Sequence, residues 1–155
     1  MAEQIAWHYT TGDYLIEIVK SGEIRPATAN VPANERPAAW FSLEPHWEPT
    51  AQKALRNPDG AVVRLGMQGT YERCGGLARI GVALETCPHD WRAFKRLGGA
   101  RAGMLRHMEK LGRAQGADPA LWRVSFEPVP QRLWTAIDVW DGQLWERKAE
   151  ARGGQ

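Results

Sequence analysis

Residues 7–42 read WHYTTGDYLIEIVKSGEIRPATANVPANERPAAWFS, and the fold is decided there. Ile5–Tyr9, at its start, is short and apolar and reads as a strand. Thr10 and Asp13 then stand in capping-box spacing. Leu15, Ile18 and Val19 follow at helical spacing, and Gly22 is placed as a helix stop. Ile24-Arg25-Pro26 reads as a second strand ended by proline. Thr28–Arg36, with Pro32 inside it, reads as a loop, and Ala38–Ser42 as a third strand that is apolar and aromatic.

Farther along, Glu44–Thr50 holds Pro45 and Pro49 and reads as a turn that opens a short helix to Leu55. Asn57-Pro58-Asp59-Gly60 is a strong turn signal. Ala61–Leu65 and Leu77–Ala83 read as strands separated by a Gly-rich loop. His89–Leu97 reads as a helix, and Met104, Leu105, Met108 and Leu111 mark a second, amphipathic helix stopped near Gly116. Trp122–Phe126 reads as a strand. Trp134–Trp140 and Leu144–Glu146 flank Asp141-Gly142, the signal of a two-residue hairpin. Strands mixed with short helices, without regular βαβ alternation, predict an α+β fold with a largely antiparallel sheet. One domain is expected over residues 1–147, with a frayed polar tail over 148–155.

Composition narrows the function classes. The 155 residues carry 20 Lys and Arg against 18 Asp and Glu, a net charge of +2 that does not argue for wholesale nucleic-acid or membrane binding. A 43% hydrophobic and 25% charged chain is globular, not disordered. No stretch approaches the roughly 20 apolar residues of a membrane span. The start, Met1-Ala2-Glu3-Gln4, has no secretion-signal character, so a cytoplasmic location is expected. Cys74 and Cys87 make no disulfide framework. With His89 they offer too few ligands, wrongly spaced, for zinc, so no metal is expected. Phosphate-loop, dinucleotide-fingerprint and nucleophile-elbow motifs are lacking. Eight Trp residues stand out; core packing accounts for most such residues.

In order and spacing, residues 7–42 resemble the N-terminal half of the ADP-ribosyltransferase fold, shared by poly-ADP-ribose polymerases, diphtheria-type toxins, DarT-type DNA transferases and tRNA 2′-phosphotransferases. The matching pieces are the aromatic-His-Tyr-Thr strand end, the short helix, Gly22-Glu23-Ile24-Arg25-Pro26, and the strand Ala39-Trp40-Phe41-Ser42. The resemblance implies a split, mostly antiparallel sheet and NAD as substrate. By its terms His8 holds the ribose on the nicotinamide side, and Tyr9 and Thr10 contact the nicotinamide amide. Trp40 packs on the nicotinamide ring, and Ser42 lines the same pocket.

Breaking the nicotinamide–ribose bond develops oxocarbenium character, so a group bearing negative charge belongs near the ribose. Polymerases and toxins place a Glu at the start of a late strand. Here Trp134–Asp141 offers Thr135 or Ala136 at that place. Candidates for the acid are Glu127, Glu44, or another residue of the polar loop Glu44, His46 and Glu48 around Trp47. The bland reading of that loop is a solvated turn, and of His8 a strand-end histidine bonded to backbone. Tyr9, Thr10, Trp40, Ser42 and Arg79 complete the candidate cofactor-binding set.

Three functions follow from the resemblance. The first is transfer of ADP-ribose from NAD to a macromolecular acceptor, protein or nucleic acid, as in a bacterial or phage toxin. The second is a non-catalytic binding module or inhibitor on the same fold, acting through Trp-rich and basic surfaces. The third is an RNA-end enzyme like the tRNA phosphotransferases, using His8, Arg79 and Arg123 on a phosphate. Arg92–Arg113 carries seven basic residues and one acid, a net of +6 that leaves −4 for the rest of the chain. That segment reads as a solvated helix face or as a patch for an acidic partner or a nucleic-acid backbone.

Overall fold

The computed structural model describes residues 4–151. Strand β1 (Ile5–Thr11) leads directly into helix α1 (Gly12–Ser21). The side chain of Thr11, one residue later than the capping spacing suggested, accepts the Tyr14 amide at 3.3 Å and opens the helix. Gly22 closes it in the left-handed region, at φ 77°, with its N–H on the carbonyls of Ile18 and Val19. There follow β2 (Glu23–Ile24), β3 (Ala39–Ser42), a single 3-10 turn at Pro49–Ala51, and an exposed hairpin of β4 (Ala54–Arg56) and β5 (Val62–Arg64). The helix expected up to Leu55 is therefore one turn and then a strand. The Gly-rich stretch expected as loop contains helix α2 (Gly66–Arg73).

The chain continues through β6 (Leu77–Ala83), β7 (His89–Asp90), α3 (Trp91–Leu97) and α4 (Ala102–Ala114). It ends with β8 (Trp122–Ser125), β9 (Val129–Pro130), β10 (Trp134–Trp140) and β11 (Trp145–Glu150). The β10–β11 turn spans four residues, not two: Trp140 pairs with Trp145, and the Asp141 carboxylate accepts the amides of Gln143 and Leu144, each at 2.7 Å. Lys148–Glu150, expected to fray, lie in β11, while residues 152–155 fall outside the described part.

Seven strands form one antiparallel sheet in the order β11-β10-β6-β1-β3-β8-β7. With the four α-helices of the described residues, it makes a single α+β domain. The join at the middle of the sheet differs from the rest. β1 pairs with β6 along its whole length, from Ile5↔Ala83 to Thr11↔Leu77, but meets β3 at a single position, Trp7↔Ser42. One half of the sheet is β11-β10-β6-β1, the other β3-β8-β7, and beyond Trp7 they part.

One apolar cluster bridges the two halves, and two others lie to either side. Ala6, Ile80, Val82, Ala39 and Phe41 pack with Ile24, Val129 and the α1 residues Leu15 and Ile18. On β3 and β8, Trp122 and Val124 pack with Trp91 and Phe94 of α3, and Trp40, Leu105 and Met108 close around them. Trp7, Tyr9 and Ala136 form a third cluster with Trp47, Ala51 and Trp145. Five of the Trp residues (7, 91, 122, 134 and 140) are buried; Trp40, Trp47 and Trp145 keep partial exposure.

Candidate active site

His8 stands where the β1–β3 ladder stops. Continued past Trp7↔Ser42, the pairing would have supplied main-chain donors to β3. Instead the His8 ring donates from Nδ1 to the carbonyl of Trp40 at 2.8 Å, and packs on Phe41 with ring centroids 5.6 Å apart. Because a carbonyl only accepts, Nδ1 carries the proton and Nε2 is left as the acceptor of the neutral ring. Burial holds the His8 pKa below its usual 6.5. The Trp40 carbonyl opposes that shift, and the charge of Lys53 adds to it. Among the described residues nothing bonds Nε2, so the ring offers a fixed lone pair.

Between the parted halves lies a cavity of about 390 Å³, a size typical of small-molecule sites. His8, Trp40 and Ser42 line it together with Glu48, and α4 closes the far wall through Met108, Leu111 and Gly112. A Cβ at Gly112 would lie 2.6 Å from a Trp122 ring carbon, so glycine lets the helix lie against that indole. A wider hollow of about 710 Å³ opens on the α1 side of His8, lined also by Thr10, Lys20 and Lys53.

Among the described residues Glu48 is the one carboxylate that lines the 390 Å³ cavity, and it is 6% exposed. Its Oε1 accepts the Ser42 hydroxyl at 2.8 Å; its Oε2 accepts the Thr50 hydroxyl at 2.7 Å and the Thr50 amide at 3.1 Å. The carboxylate thus caps the 3-10 turn at Pro49–Ala51. No cation pairs with it among the described residues, so hydrogen bonds alone offset its desolvation.

Three donors from the neighbouring strands fix the loop that carries Glu48. The Tyr9 hydroxyl donates to the Glu44 carbonyl, Arg79 Nη1 to the Pro45 carbonyl at 2.6 Å, and Trp145 Nε1 to the His46 carbonyl at 2.7 Å. The Arg79 guanidinium lies 3.8 Å over the Trp7 ring and 4.5 Å over that of Trp145, and Nε bonds Asp138 at 2.9 Å. Asp138 also takes Arg147 at 2.5 Å. Trp47 meets Tyr9 edge-on at 5.5 Å, and His46 meets Trp140 at 5.3 Å. Burial pushes the Tyr9 pKa up to about 12, against the opposing pull of Arg79.

The sequence candidates divide accordingly. His8, Tyr9, Trp40 and Ser42 come together at the 390 Å³ cavity, while Thr10 lies with His8 on the wider hollow. Glu44 contributes main-chain atoms: its amide bonds Ser42 Oγ at 3.1 Å, and its side chain does not line the cavity. Glu127 sits exposed on the turn after β8, where its amide and carbonyl both bond Ser125 Oγ, and it too lies outside the lining. Arg79 acts on the loop rather than on the cavity, and Arg123 donates to the Cys87 carbonyl at 3.0 Å. Thr135 bonds the Gly81 carbonyl at 3.0 Å. Alternation along a strand could not single out Glu48, because it lies in a proline-bounded loop. Ser42 and Thr50, six residues before and two after, are what turn it inward.

No helix among the described residues is long and apolar enough to cross a membrane. Compared with known proteins, the chain matches no family model, no curated protein and no solved structure.

Proposed function

We propose that the cavity between β1 and β3 binds NAD and that the protein transfers ADP-ribose to a macromolecular acceptor. One observation carries this reading: a fixed histidine acceptor, an aromatic wall and a buried carboxylate, His8, Trp40 and Glu48, line the same 390 Å³ cavity. Trp40 and the apolar residues of α4 suit a flat heteroaromatic ring, and His8 Nε2 suits a ribose hydroxyl. Glu48 takes the role sought in Glu44 and Glu127. Its carboxylate faces the positive charge that develops as the nicotinamide–ribose bond breaks. Nicotinamide departs with the bonding electron pair. The acceptor nucleophile bonds the anomeric carbon and gives up its proton.

The test is release of nicotinamide from NAD by the full chain, followed chromatographically. Glu48→Gln keeps the shape and removes the negative charge, and a loss of about 10²–10³-fold in rate is expected. Release unchanged in Glu48→Gln would remove Glu48 from the mechanism. A second reading, binding without transfer, draws support from Glu48 itself, since Ser42 and Thr50 engage both its oxygens. It predicts that NAD binds and no nicotinamide appears. Phosphate chemistry draws no support, because neither Arg79 nor Arg123 lines the cavity.

A further inference from the structure

Helices α3 and α4 present a surface that the cavity does not use. Arg92, Lys95 and Arg96 stand at i, i+3 and i+4 on α3, Arg106, Lys110 and Arg113 at i, i+4 and i+7 on α4, and Arg101 caps α4 between them. All seven are exposed. Lys95 alone has an acidic partner among the described residues, Glu109 at 3.4 Å, and that contact joins the two helices. Glu109 also accepts the Trp91 indole N–H at 2.5 Å, and Arg113 is close enough to help hold its pKa below the ordinary value. The other acids of this region are taken up in capping: Asp90 accepts the Ala93 amide at 2.8 Å and Asp118 the Ala120 amide at 3.0 Å. The other six cations form no salt bridge among the described residues, and their mutual repulsion opposes folding.

The chemistry of this face selects its partner. Protein interfaces are anchored by aromatic and large apolar side chains. On α4 the apolar residues Leu105 and Met108 turn inward and Leu111 lines the cavity, while Met104, 41% exposed, lies by helical spacing on the side of Met108 and Leu111, so the face of Arg106, Lys110 and Arg113 has no aromatic or large apolar anchor of its own. The aromatic residues of α3, Trp91 and Phe94, are buried at 5% and 3% exposure. His107 is the one exposed ring on the two helices among the described residues, and a single imidazole is not the run of aromatic platforms on which single strands are held. A cationic face without an aromatic anchor or a run of stacking platforms fits phosphates. We infer that the α3–α4 face binds the backbone of a double-stranded nucleic acid without reading its sequence. A duplex on the outside of α4 lies about one helix diameter, about 10 Å, from the cavity that Met108 and Leu111 line. The inference is independent of what the cavity binds.

The test is fluorescence anisotropy of a labelled duplex of about 20 base pairs with the full chain, between about 50 and 200 mM salt. Six neutralised phosphates give a log–log slope near −5, a loss of affinity of about 10³-fold over that range. Reversing Arg106, Lys110 and Arg113 to Glu, with the fold checked by circular dichroism, is expected to abolish binding at 50 mM salt. Arg106→Lys with Arg113→Lys keeps the charge and is expected to keep the wild-type slope. The inference is overturned by absence of binding at 50 mM salt, by a duplex affinity unchanged in the Glu variant, or by loss of binding in the Lys variant. It is equally overturned if a single strand binds more tightly than the duplex. Displacement of the duplex by polyglutamate of matched charge would instead make the face a site for acidic protein.

Discussion

Arg79 donates to the carbonyl of Pro45 at 2.6 Å, and so ties the central strand β6 to the loop that carries Glu48. The same guanidinium is held by Asp138 at 2.9 Å, and both side chains are nearly sealed from solvent, at 10% and 3% exposure. Removing one member of a buried pair leaves the other uncompensated. Asp138→Leu is therefore expected to cost about 3–5 kcal/mol. For a domain of this size that is a fall of about 10–15 °C in Tm, readable by circular dichroism. A fall of only a degree or two would show that the pair is not what holds strand and loop together.

Tyr9 gives a pH dependence with a definite sign. Its pKa rises from 10.0 to about 12 on folding. The unfolded chain then loses this proton first as the pH climbs. The stability associated with the neutral phenol is fully present below pH 10 and is lost between about pH 10 and pH 12. Two pKa units correspond to about 2–3 kcal/mol. Alkaline denaturation of Tyr9→Phe should be flatter across that window than that of the parent. In a spectrophotometric titration of the parent, Tyr9 should ionise late, in a phase that Tyr9→Phe removes.

Gly112 lets α4 lie against Trp122 on the sheet side of the cavity. Gly112→Ala puts a methyl 2.6 Å from a ring carbon of Trp122, which is 6% exposed and packed against Trp91 and Val124. Overpacking of this kind costs about 1–3 kcal/mol. The expected result is a lower Tm together with weaker NAD binding, since the displaced indole lines the cavity. Gly103→Ala, on the same helix with nothing closer than 3.9 Å, is the control and should do neither.

The order of elements from β1 to β3 is readable in the sequence because each piece has a local cause: the apolar run at Ile5–Tyr9, the left-handed stop at Gly22, the aromatic run before Ser42. The cap falls at Thr11 rather than Thr10, since β1 keeps its pairing with β6 through Thr11 and only then releases the chain. Helix α2 escaped because Gly66, Gly69, Gly75 and Gly76 surround few apolar residues. Thr70 is its one buried residue, and the Thr70 hydroxyl takes the Lys53 amide at 2.9 Å from a segment distant in the chain. The site divides in the same way. His8, Trp40 and Ser42 lie on strands, where position fixes direction. Glu48 and the true role of Arg79 depend on contacts between distant segments, such as Arg79 with Pro45 and Trp145 with His46, which no local pattern encodes.

Calorimetric titration of the full chain with NAD, repeated on His8→Ala and Trp40→Ala, tests the central claim most directly. Saturable binding in the micromolar range is expected, about −8 kcal/mol. Each variant should weaken it at least about tenfold, a change of about 1.4 kcal/mol, with its thermal unfolding otherwise cooperative. No heat of binding up to millimolar NAD, or binding indifferent to both substitutions, would contradict the assignment of this cavity.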